Sequence, residues 1–582
     1  MSTMNSTSST SKPYGSHQSW LLLIFFALFV VGAILRIVDI WQPIDQPSWR
    51  EADVASIARN FEREGLNLFY PRIDWRGDGP GYAEMEFPLY PWSLAALYKV
   101  FGYHEVIGRV VSYALSLITL GVYFKFAVYL LPPVAAVAAS TFFVLSPLMI
   151  NISTSFQPDG LMMLCYLVAA YSFIRWMHHD SRKDYVIAIF VTALAILAKA
   201  PMALLGIFFL LFLVSQRGVR VLLQARMWLF GVVALTPAVL WYAHARNFWL
   251  TYGNSLGVSN RTHGAGWQLF TNPTYVQGIL SAEIFHVAMP AGVVLLGLGL
   301  WLRRSEQGVK VGLYWLAAVW TYYLVAARTT SDEWAVYYHI VSVPPVGLLL
   351  GEGVEALRKI TFRPSLTAAF AAIPVLVLML LIPGSSKFQL LSVLAGLGII
   401  GLTLVGSTYS IWWQEGLKDK LIGSRMPQMS TVMVYFGMTV FVSALLSETR
   451  MVYEKLSSDR RTQLYKSAET FKAAAVEPGL IGASGGPCLD RIGSPAAHNA
   501  SYMFYWMDRK GFNICHEEQS MPAMVELAHK GARYYVLEKS VLISKPGLEA
   551  ELRNTFPVMH ESDVAILFDL APVRTASYGA RR

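Results

Sequence analysis

Acidic side chains gather in one stretch between two long apolar segments, and these are the residues best suited to chemistry. Asp53 lies in the run READVASIARNFERE, and Glu84 and Glu86 follow further along the same stretch. Paired carboxylates suit a general base, and they also bind divalent metal ions. The spacer after Asp53 contains glycines and is long enough for the three side chains to converge. The pattern therefore predicts proton transfer by these carboxylates, or a divalent metal site formed by all three.

The sequence around Asp53 has the pattern of an amphipathic helix. Ser48 and Glu51 have the S-x-x-E spacing of a capping box, which begins a helix. The apolar stripe that follows consists of Val54, Ala58 and Phe61, and the neighbouring polar face consists of Asp53, Ser56, Asn60 and Glu64. We therefore expect a helix at a membrane interface, with its acidic face toward a cavity. The capping box alone would explain Glu51, and a favourable interaction with the helix dipole would by itself explain Asp53.

The composition predicts that this stretch belongs to a membrane protein. Of the 582 residues, 54% are hydrophobic and only 15% are charged, whereas about a quarter of residues are charged in soluble proteins. These values exclude an ordinary soluble protein and a disordered chain, and only three cysteines exclude a disulfide-rich secreted scaffold. The net charge of +9 comes without a long basic run, so no nucleic acid is expected as a partner. About thirteen segments are apolar and long enough to span a membrane, namely 20–40, 105–129, 134–151, 159–176, 184–198, 200–216, 227–245, 281–302, 311–327, 336–353, 365–383, 389–412 and 430–447.

The charges between these segments predict the side of the membrane that each loop faces. Five alternate loops contain three lysine or arginine residues each, and the short loops between them contain one or two. Because cytoplasmic loops carry this excess, we expect a cytoplasmic N-terminus and, with an odd number of spans, a C-terminus on the outer side. The chain then divides into a cytoplasmic tail (1–19), a membrane module (20–447) with a first outer loop at 41–101, and a soluble domain (448–582).

The soluble domain has the pattern of a small α/β fold. Strand-like runs at 479–483, 534–537 and 564–570 alternate with helical runs at 522–530 and 547–553. Cys488 and Cys515 both fall in this domain, where an oxidising compartment would allow them to form a disulfide. The predicted fold class is therefore a mostly α-helical, polytopic membrane protein with a C-terminal α/β domain.

Further charged residues are predicted on the same outer side as the acidic stretch. Lys199 ends a predicted span, where its charge is either functional or snorkels to the interface. Arg261, Arg328 and His339 lie on that side as well. Asp159 begins a span, where it is either a second carboxylate of the cavity or a simple helix N-terminal acid.

Several short motifs resemble a known superfamily. They are WREAD at 49–53, IARNF at 57–61, EFPLYP at 86–91, QPDG at 157–160, AKAP at 198–201, and YYH at 337–339 followed by PP at 344–345. In this order, and on one side of the membrane, they resemble bacterial polyprenyl-phosphate-dependent glycosyltransferases of the GT-C superfamily. Protein O-mannosyltransferases and lipid A aminoarabinose transferases are relatives in that superfamily. The resemblance implies a GT-C-type bundle with interfacial helices in the first outer loop.

The resemblance also implies a reaction at the outer face of a bacterial inner membrane, with the C-terminal domain in the periplasm. A sugar would pass from a polyprenyl phosphate to a lipid-linked, glycan or protein acceptor, with inversion. No cofactor is expected beyond the divalent metal ion considered above. Asp53 matches the acidic residue that takes the acceptor proton in these families. Glu86 and Asp159 would be the other catalytic carboxylates.

The same resemblance implies a donor phosphate site that consists of Lys199, Arg261, Arg328, Tyr338 and His339. Support in the first outer loop would come from Arg50, Glu51, Asn60 and Glu84. Phe87 follows Glu86 where the aminoarabinose transferases have a lysine, so the phosphate site is not a direct copy of theirs. The partners implied are the lipid-linked donor, the acceptor and membrane lipids.

The main alternative is a polytopic lipid or glycan transporter (a flippase) without transferase activity, because charges that line a cavity suit it equally. The absence of evident internal repeats and the presence of two large outer segments argue against it. A non-catalytic envelope scaffold is the third hypothesis. The sequence contains no P-loop, zinc-protease or serine-hydrolase motif.

Overall fold

The computed structural model describes residues 17–37, 40–45, 49–257, 267, 271–359, 462–489 and 500–571. The predicted spans at 365–383, 389–412 and 430–447 lie outside the described residues. So do Arg261 of the predicted phosphate site and Ser48 of the predicted capping box.

The described part of the membrane module consists of helices. They are α1 (His17–Ile37), α2 (Trp49–Glu64), α3 (Leu89–Phe101), α4 (Glu105–Leu130), α5 (Pro133–Leu145), α6 (Pro147–Asn151), α7 (Asp159–His179), α8 (Arg182–Ala198), α9 (Leu204–Arg217), α10 (Ala225–Tyr252), α11 (Thr274–Ala282), α12 (Pro290–Leu302), α13 (Gln307–Val325), α14 (Ala327–Thr330) and α15 (Val343–Lys359). Shorter 3₁₀ segments lie at Ala200–Ala203, Val219–Leu223 and Glu333–Ser342, and a π-helical segment lies at Glu283–Ala288.

Five of the described helices are long and apolar enough to cross a membrane. They cover Glu105–Leu130, Asp159–His179, Ala200–Arg217, Ala225–Tyr252 and Ala335–Leu357. The structure therefore shows a multi-pass membrane protein with at least five apolar spans, and the predicted number of thirteen is not confirmed.

The segment predicted as one span at 281–302 is not a single straight helix. The chain from Thr274 to Ala288 and the following helix from Gly292 to Leu302 are bent by 91°. The break falls at Met289, whose φ of 60° is left-handed and cannot continue a right-handed helix. Hydropathy measures only how apolar a segment is, so it could not predict this bend.

Close helix packing in the bundle depends on two glycines of α15. A Cβ atom on Gly351 would lie 2.3 Å from the backbone oxygen of Ala135, and one on Gly353 would lie 2.2 Å from that of Leu295. Small residues let helix backbones approach each other in membrane proteins. These glycines therefore allow α15 to lie directly against α5 and α12.

Helix α2 of the first outer loop is buried on its polar face as well as on its apolar face. Val54, Ala58 and Phe61 are buried as predicted, but Asp53 and Asn60 are buried too. The acidic face that was expected toward a cavity is therefore enclosed by other segments of the protein. The C-terminal domain covers the helix, because Arg59 of α2 donates a hydrogen bond of 3.0 Å to the backbone oxygen of Tyr505.

The C-terminal domain is a small α/β fold, as the sequence predicts. Its helices are α16 (Gln463–Ala474), α17 (Ser501–Met507), α18 (Met521–His529) and α19 (Leu548–Thr555), and its strands are β1 (Leu480–Ser484), β2 (Gly511–Ile514), β3 (Ala532–Glu538), β4 (Val558–Glu561) and β5 (Ala565–Asp569). The sheet order is β2-β1-β3-β5-β4. Strands β2, β1 and β3 are parallel, and β5 is antiparallel to both of its neighbours. Strands β2 and β4 have only four residues each, too few for a clear alternating pattern, and were not predicted.

A disulfide joins Cys488, which follows β1, to Cys515, which follows β2. The bond links the loops at the ends of two neighbouring parallel strands. The pairing that the sequence allowed is therefore present.

Ion pairs join the C-terminal domain to the first outer loop. The guanidinium group of Arg59 lies 2.7 Å from the carboxylate of Asp74 and 3.0 Å from that of Asp508. Arg63, one helical turn later, also pairs with Asp508, at 2.7 Å. The Arg59 side chain is only 5% exposed and the Arg63 side chain is 48% exposed. Burial makes the two arginines unequal in their contributions to stability.

We expect Arg59→Met to destabilise the protein by about 3–5 kcal/mol, because it leaves the buried carboxylate of Asp74 without its cation. Arg63→Met should cost less than about 1 kcal/mol, because an exposed ion pair contributes little. Thermal unfolding of the two variants in detergent measures the difference. Equal shifts of the unfolding midpoint would contradict this view of the domain contact.

Candidate functional site

The polar residues of the first outer loop meet the outer ends of the membrane helices in one buried cluster. Helix α2 supplies Arg50 and Asp53, and the segment before α3 supplies Glu86. Asp159 is the first residue of α7, and Lys199 is the residue that directly follows α8. The predicted base, its companion carboxylates and the predicted phosphate-binding lysine thus lie at the same end of the bundle.

Asp53 is fully buried, and only one of its two carboxylate oxygens has a partner. The indole N–H of Trp75 donates a 2.8 Å hydrogen bond to Oδ1. Oδ2 is buried and has no hydrogen-bond partner among the residues that the structure describes. A buried oxygen of this kind requires an explanation, because nearly all buried polar atoms are hydrogen-bonded. Its position suits an oxygen that accepts a proton.

The surroundings of Asp53 raise the pKa of its carboxyl group from 3.8 to about 7. Burial is the largest cause, because it disfavours the charged form. The hydrogen bond from Trp75 and the charge of Arg50 lower the pKa, and the charges of Asp74 and Glu86 raise it. A pKa near neutrality is the value that suits a general base at physiological pH.

Glu86, unlike Asp53, has a cationic partner. It forms a buried ion pair with Arg50, so its charge is already compensated. Arg50 also interacts electrostatically with the hydroxyl groups of Tyr337 and Tyr338. Arg50 therefore connects the carboxylates of the first outer loop with the tyrosines of the 3₁₀ segment Glu333–Ser342.

Lys199 lies in a small enclosure at the end of the bundle where α7 begins and α8 ends. Its Nζ atom is 2.6 Å from Oδ1 of Asp159. The same atom lies 5.0 Å from the ring centre of Tyr337 and 5.1 Å from that of Tyr338, within the range of a cation–π interaction. The adjoining cavity has a volume of only about 10 Å³. A carboxylate and two aromatic rings thus hold the lysine ammonium group in place.

Lys199 reaches this position because of the local sequence. The backbone N–H of Lys199 closes α8, and its φ of −156° is extended. Pro201 follows at the start of the next 3₁₀ turn, where its missing N–H is tolerated. The break between the two helices therefore places the lysine side chain at the end of the span, beside Asp159.

The residues predicted to support the first outer loop hold it to neighbouring segments. The carboxylate of Glu51 accepts a 2.7 Å hydrogen bond from the backbone N–H of Phe156, in the second outer loop. Asn60 donates to the carboxylate of Asp74 at 2.8 Å. Glu84 accepts a 2.7 Å hydrogen bond from the hydroxyl group of Ser255, which follows α10. These contacts join the first outer loop to neighbouring segments, and a supporting role for the three residues stays a prediction.

The proposed metal ligands do not form a common ligand set. One carboxylate oxygen each of Asp53, Glu84 and Glu86 contacts Trp75, Ser255 and Arg50 respectively. In the described part of the chain, the set of three possible metal ligands whose atoms lie within 4.8 Å of one another is Cys488, Cys515 and Glu517. Its two cysteines form the disulfide.

Two residues of the predicted phosphate site lie in different surroundings from Lys199. His339 is fully buried and contacts Glu283 and the backbone of Thr330. Arg328 is half-buried in the short helix α14. Of the predicted companions that the structure describes, Tyr338 is the residue beside the lysine.

The sequence did not predict Trp75, Tyr337 or Glu283 as site residues. Tyr337 stood within the motif YYH, which could have indicated it. Trp75 and Glu283 contact site residues that are distant from them in the sequence, and no local sequence pattern predicts such contacts.

Asp53→Asn should stabilise the protein more at high pH than at low pH. The pKa of Asp53 is raised, so its contribution to stability is full below about pH 4 and is lost as the pH rises through about 7. Asparagine does not titrate. One pKa unit corresponds to about 1.4 kcal/mol. Between pH 4 and pH 8, the free energy of unfolding of the variant should therefore rise by up to a few kcal/mol relative to that of the wild type. Thermal unfolding across this range measures the gain.

Asp78→Asn is the control, because Asp78 is exposed in the same loop. A difference between Asp53→Asn and the wild type that does not change with pH would contradict the raised pKa.

Comparisons with known proteins agree with this architecture. Residues 80–242 match the family described as dolichyl-phosphate-mannose-protein mannosyltransferase. A search of curated protein sequences gives no significant match. The family match includes Glu84, Glu86, Asp159 and Lys199, and it ends within α10.

Two solved structures of ArnT from Cupriavidus metallidurans have a similar fold. The structure bound to undecaprenyl phosphate matches with a TM-score of 0.54 and 15% identity, over 95% of this chain and 98% of ArnT. The apo structure matches with a TM-score of 0.55 and 15% identity, over 96% of this chain and 99% of ArnT.

An oligosaccharyltransferase from Archaeoglobus fulgidus in the apo form is also similar, with a TM-score of 0.50 and 13% identity, over 92% of this chain and 71% of the archaeal chain. At these identities the likeness shows the fold. Together with the family match, it confirms the resemblance seen in the sequence motifs: the chain is similar in fold to ArnT and to the archaeal oligosaccharyltransferase, and residues 80–242 match the mannosyltransferase family.

Proposed function

We propose that the protein is a membrane glycosyltransferase that transfers a sugar from a polyprenyl phosphate to an acceptor hydroxyl group, with inversion. The observation that carries this proposal is the state of Asp53. Its carboxyl group is fully buried, one of its oxygens has no hydrogen-bond partner among the described residues, and its pKa is raised to about 7.

Asp53 Oδ2 takes the proton of the acceptor hydroxyl group as that oxygen attacks the anomeric carbon. The new glycosidic C–O bond forms while the bond from the anomeric carbon to the phosphate oxygen breaks. The electron pair of the broken bond stays on the phosphate, which leaves as polyprenyl phosphate. Attack from the side opposite the phosphate inverts the configuration.

Cationic groups near Asp53 stabilise the charge that develops on the leaving phosphate. Lys199 is the ammonium group at the outer end of the bundle, and its present partner is Asp159. Arg50 carries a second charge and interacts with the same two tyrosines that flank Lys199. Charge-assisted contacts of this kind are the usual way to hold a phosphate. ArnT, which has a similar fold, binds undecaprenyl phosphate.

Phe87 occupies the position where the sequence motif of the aminoarabinose transferases has a lysine. Its ring packs against Trp241, with ring centres 5.1 Å apart. This position therefore contributes an apolar wall and no charge. The difference supports a phosphate site that relies on Lys199 and Arg50.

The proposed location is the bacterial inner membrane, with the N-terminus in the cytoplasm and residues 448–582 in the periplasm. The charge pattern of the loops and the disulfide in the C-terminal domain support this orientation. A reporter fused after residue 571 tests it, and a cytoplasmic signal would overturn the orientation.

Asp53→Asn should reduce sugar transfer by about 10² to 10⁴, because the base is lost while the shape of the side chain is retained. The assay measures the release of free polyprenyl phosphate by the purified protein from a polyprenyl-phosphate sugar, with and without a chelator of divalent metals. Asp78→Asn serves as the control.

Glu86→Gln and Asp159→Asn complete the series. Near-normal transfer by Asp53→Asn with a collapse in one of these two variants would move the base to that residue. Normal transfer by all three would overturn the assignment of the base to these carboxylates, and absence of transfer by the wild type would favour the transporter or scaffold hypothesis.

A further inference from the structure

The two tyrosines beside Lys199 lie on an unusual helix. The 3₁₀ segment Glu333–Ser342 is ten residues long. Such helices rarely exceed three or four residues, because their hydrogen bonds have poor geometry. This segment therefore requires contacts from its surroundings to keep its shape. Tyr337 and Tyr338 lie at its centre, and His339 follows them directly.

His339 makes two short contacts in the interior of the bundle. Its Nε2 atom lies 2.8 Å from the backbone oxygen of Thr330, and its Nδ1 atom lies 2.6 Å from Oε1 of Glu283. A backbone carbonyl can only accept, so Nε2 carries a hydrogen and donates it. A second proton then lies between Nδ1 and the Glu283 carboxylate. Both ring nitrogens are thus occupied.

Glu283 binds the 3₁₀ segment at a second point. Its Oε1 atom also accepts a 2.6 Å hydrogen bond from the hydroxyl group of Ser342, the last residue of the segment. The hydroxyl group of Tyr323 lies 2.9 Å from the same Ser342 oxygen. One carboxylate oxygen therefore holds two side chains of the 3₁₀ helix, one full turn apart.

The helix that precedes Glu283 is packed closely against the start of the same region. A Cβ atom on Gly278 of α11 would lie 2.2 Å from the backbone oxygen of Ser331. There is consequently no room for α11 to approach further. Glu283 lies five residues later, at the first position of the π-helical segment. The close packing of α11 therefore restricts the position of the carboxylate that binds the 3₁₀ helix.

We propose that Glu283 and His339 are positioning residues that fix the rotation of the 3₁₀ helix, and with it the placement of Tyr337 and Tyr338 around Lys199. A 3₁₀ helix has three residues per turn, so neighbouring side chains point about 120° apart. While His339 points to Glu283, Tyr338 is turned toward Lys199. Loss of the contact lets the helix rotate and moves the tyrosine rings away from the ammonium group.

This inference rests on the proposed function, in which Lys199 binds the donor phosphate, and it gives His339 a role other than phosphate binding. A phosphate that contacted the His339 ring would have to displace Glu283 or the Thr330 carbonyl group. The arrangement of the lysine, and so the affinity for a lipid phosphate, then depends on a pair of residues that do not touch the lipid.

The test uses the full-length protein in detergent and two measurements on each variant. One is the rate at which a water-soluble acetylating reagent modifies Lys199, read by mass spectrometry. The other is the affinity for undecaprenyl phosphate. The variants are Glu283→Gln and His339→Ala. Glu352→Gln is the matched control, because Glu352 is likewise a buried carboxylate with a cationic partner, Arg303, but at a different place in the bundle.

Both variants should increase the acetylation rate of Lys199 and weaken undecaprenyl phosphate binding by about tenfold, the factor expected when a hydrogen bond to a charged group is lost. Glu352→Gln should change neither. Combined with Tyr338→Ala, His339→Ala should add less than its full loss of affinity, because part of its effect acts through the Tyr338 ring.

Each other outcome has a definite meaning. Unchanged acetylation in Glu283→Gln and His339→Ala overturns the inference, whatever happens to affinity. Faster acetylation with unchanged affinity supports the positioning role and contradicts the proposed phosphate site instead. Full additivity with Tyr338→Ala overturns the inference in favour of direct binding by His339. If His339→Ala does not fold, Ser342→Ala removes the second contact to Glu283 more mildly and is measured in its place.

Discussion

Burial of charge at the outer end of the helix bundle is the constraint on which the site depends. A charge removed from water is costly unless a partner compensates it. Arg59 pairs with Asp74, Arg50 with Glu86, and Lys199 with Asp159. Asp53 lies among these pairs, but its direct partner is the neutral indole of Trp75. Asp53 therefore lacks a cation at hydrogen-bond distance among the described residues, and its pKa rises toward neutrality.

The C-terminal domain helps to maintain this burial. It covers helix α2, and its Tyr505 hydroxyl group donates a 2.7 Å hydrogen bond to Glu105 at the start of α4. Trp506 donates to the backbone of Ile44, just before α2. A domain that is soluble by composition thus excludes water from a helix that carries the proposed base. This contact gives the domain a physical role in the site, in addition to any role in acceptor choice.

The sequence predicted what depends on local pattern. The span at 159–176 corresponds to α7, and the strand-like run at 534–537 lies within β3. Motif order placed Asp53, Asp159 and Lys199 on one side of the membrane, and the structure brings Asp159 and Lys199 into contact. What the sequence could not predict depends on distant residues. The burial of the polar face of α2 and the pair Glu283–His339 have no local periodic signal, because each is made by segments far apart in the chain. The bend at Met289 is local, but hydropathy does not report the backbone conformation that causes it.

The central claim is that Asp53 is a general base with a pKa near neutrality. The most direct measurement is kcat/KM for sugar transfer as a function of pH, for the wild type and for Trp75→Phe. The rate should rise with pH through about 7, because the base must be deprotonated. Trp75→Phe should move this rise to higher pH, because it removes the hydrogen bond that lowers the pKa of Asp53. A flat profile between pH 5 and pH 8, or a midpoint that Trp75→Phe leaves unchanged, would contradict the account.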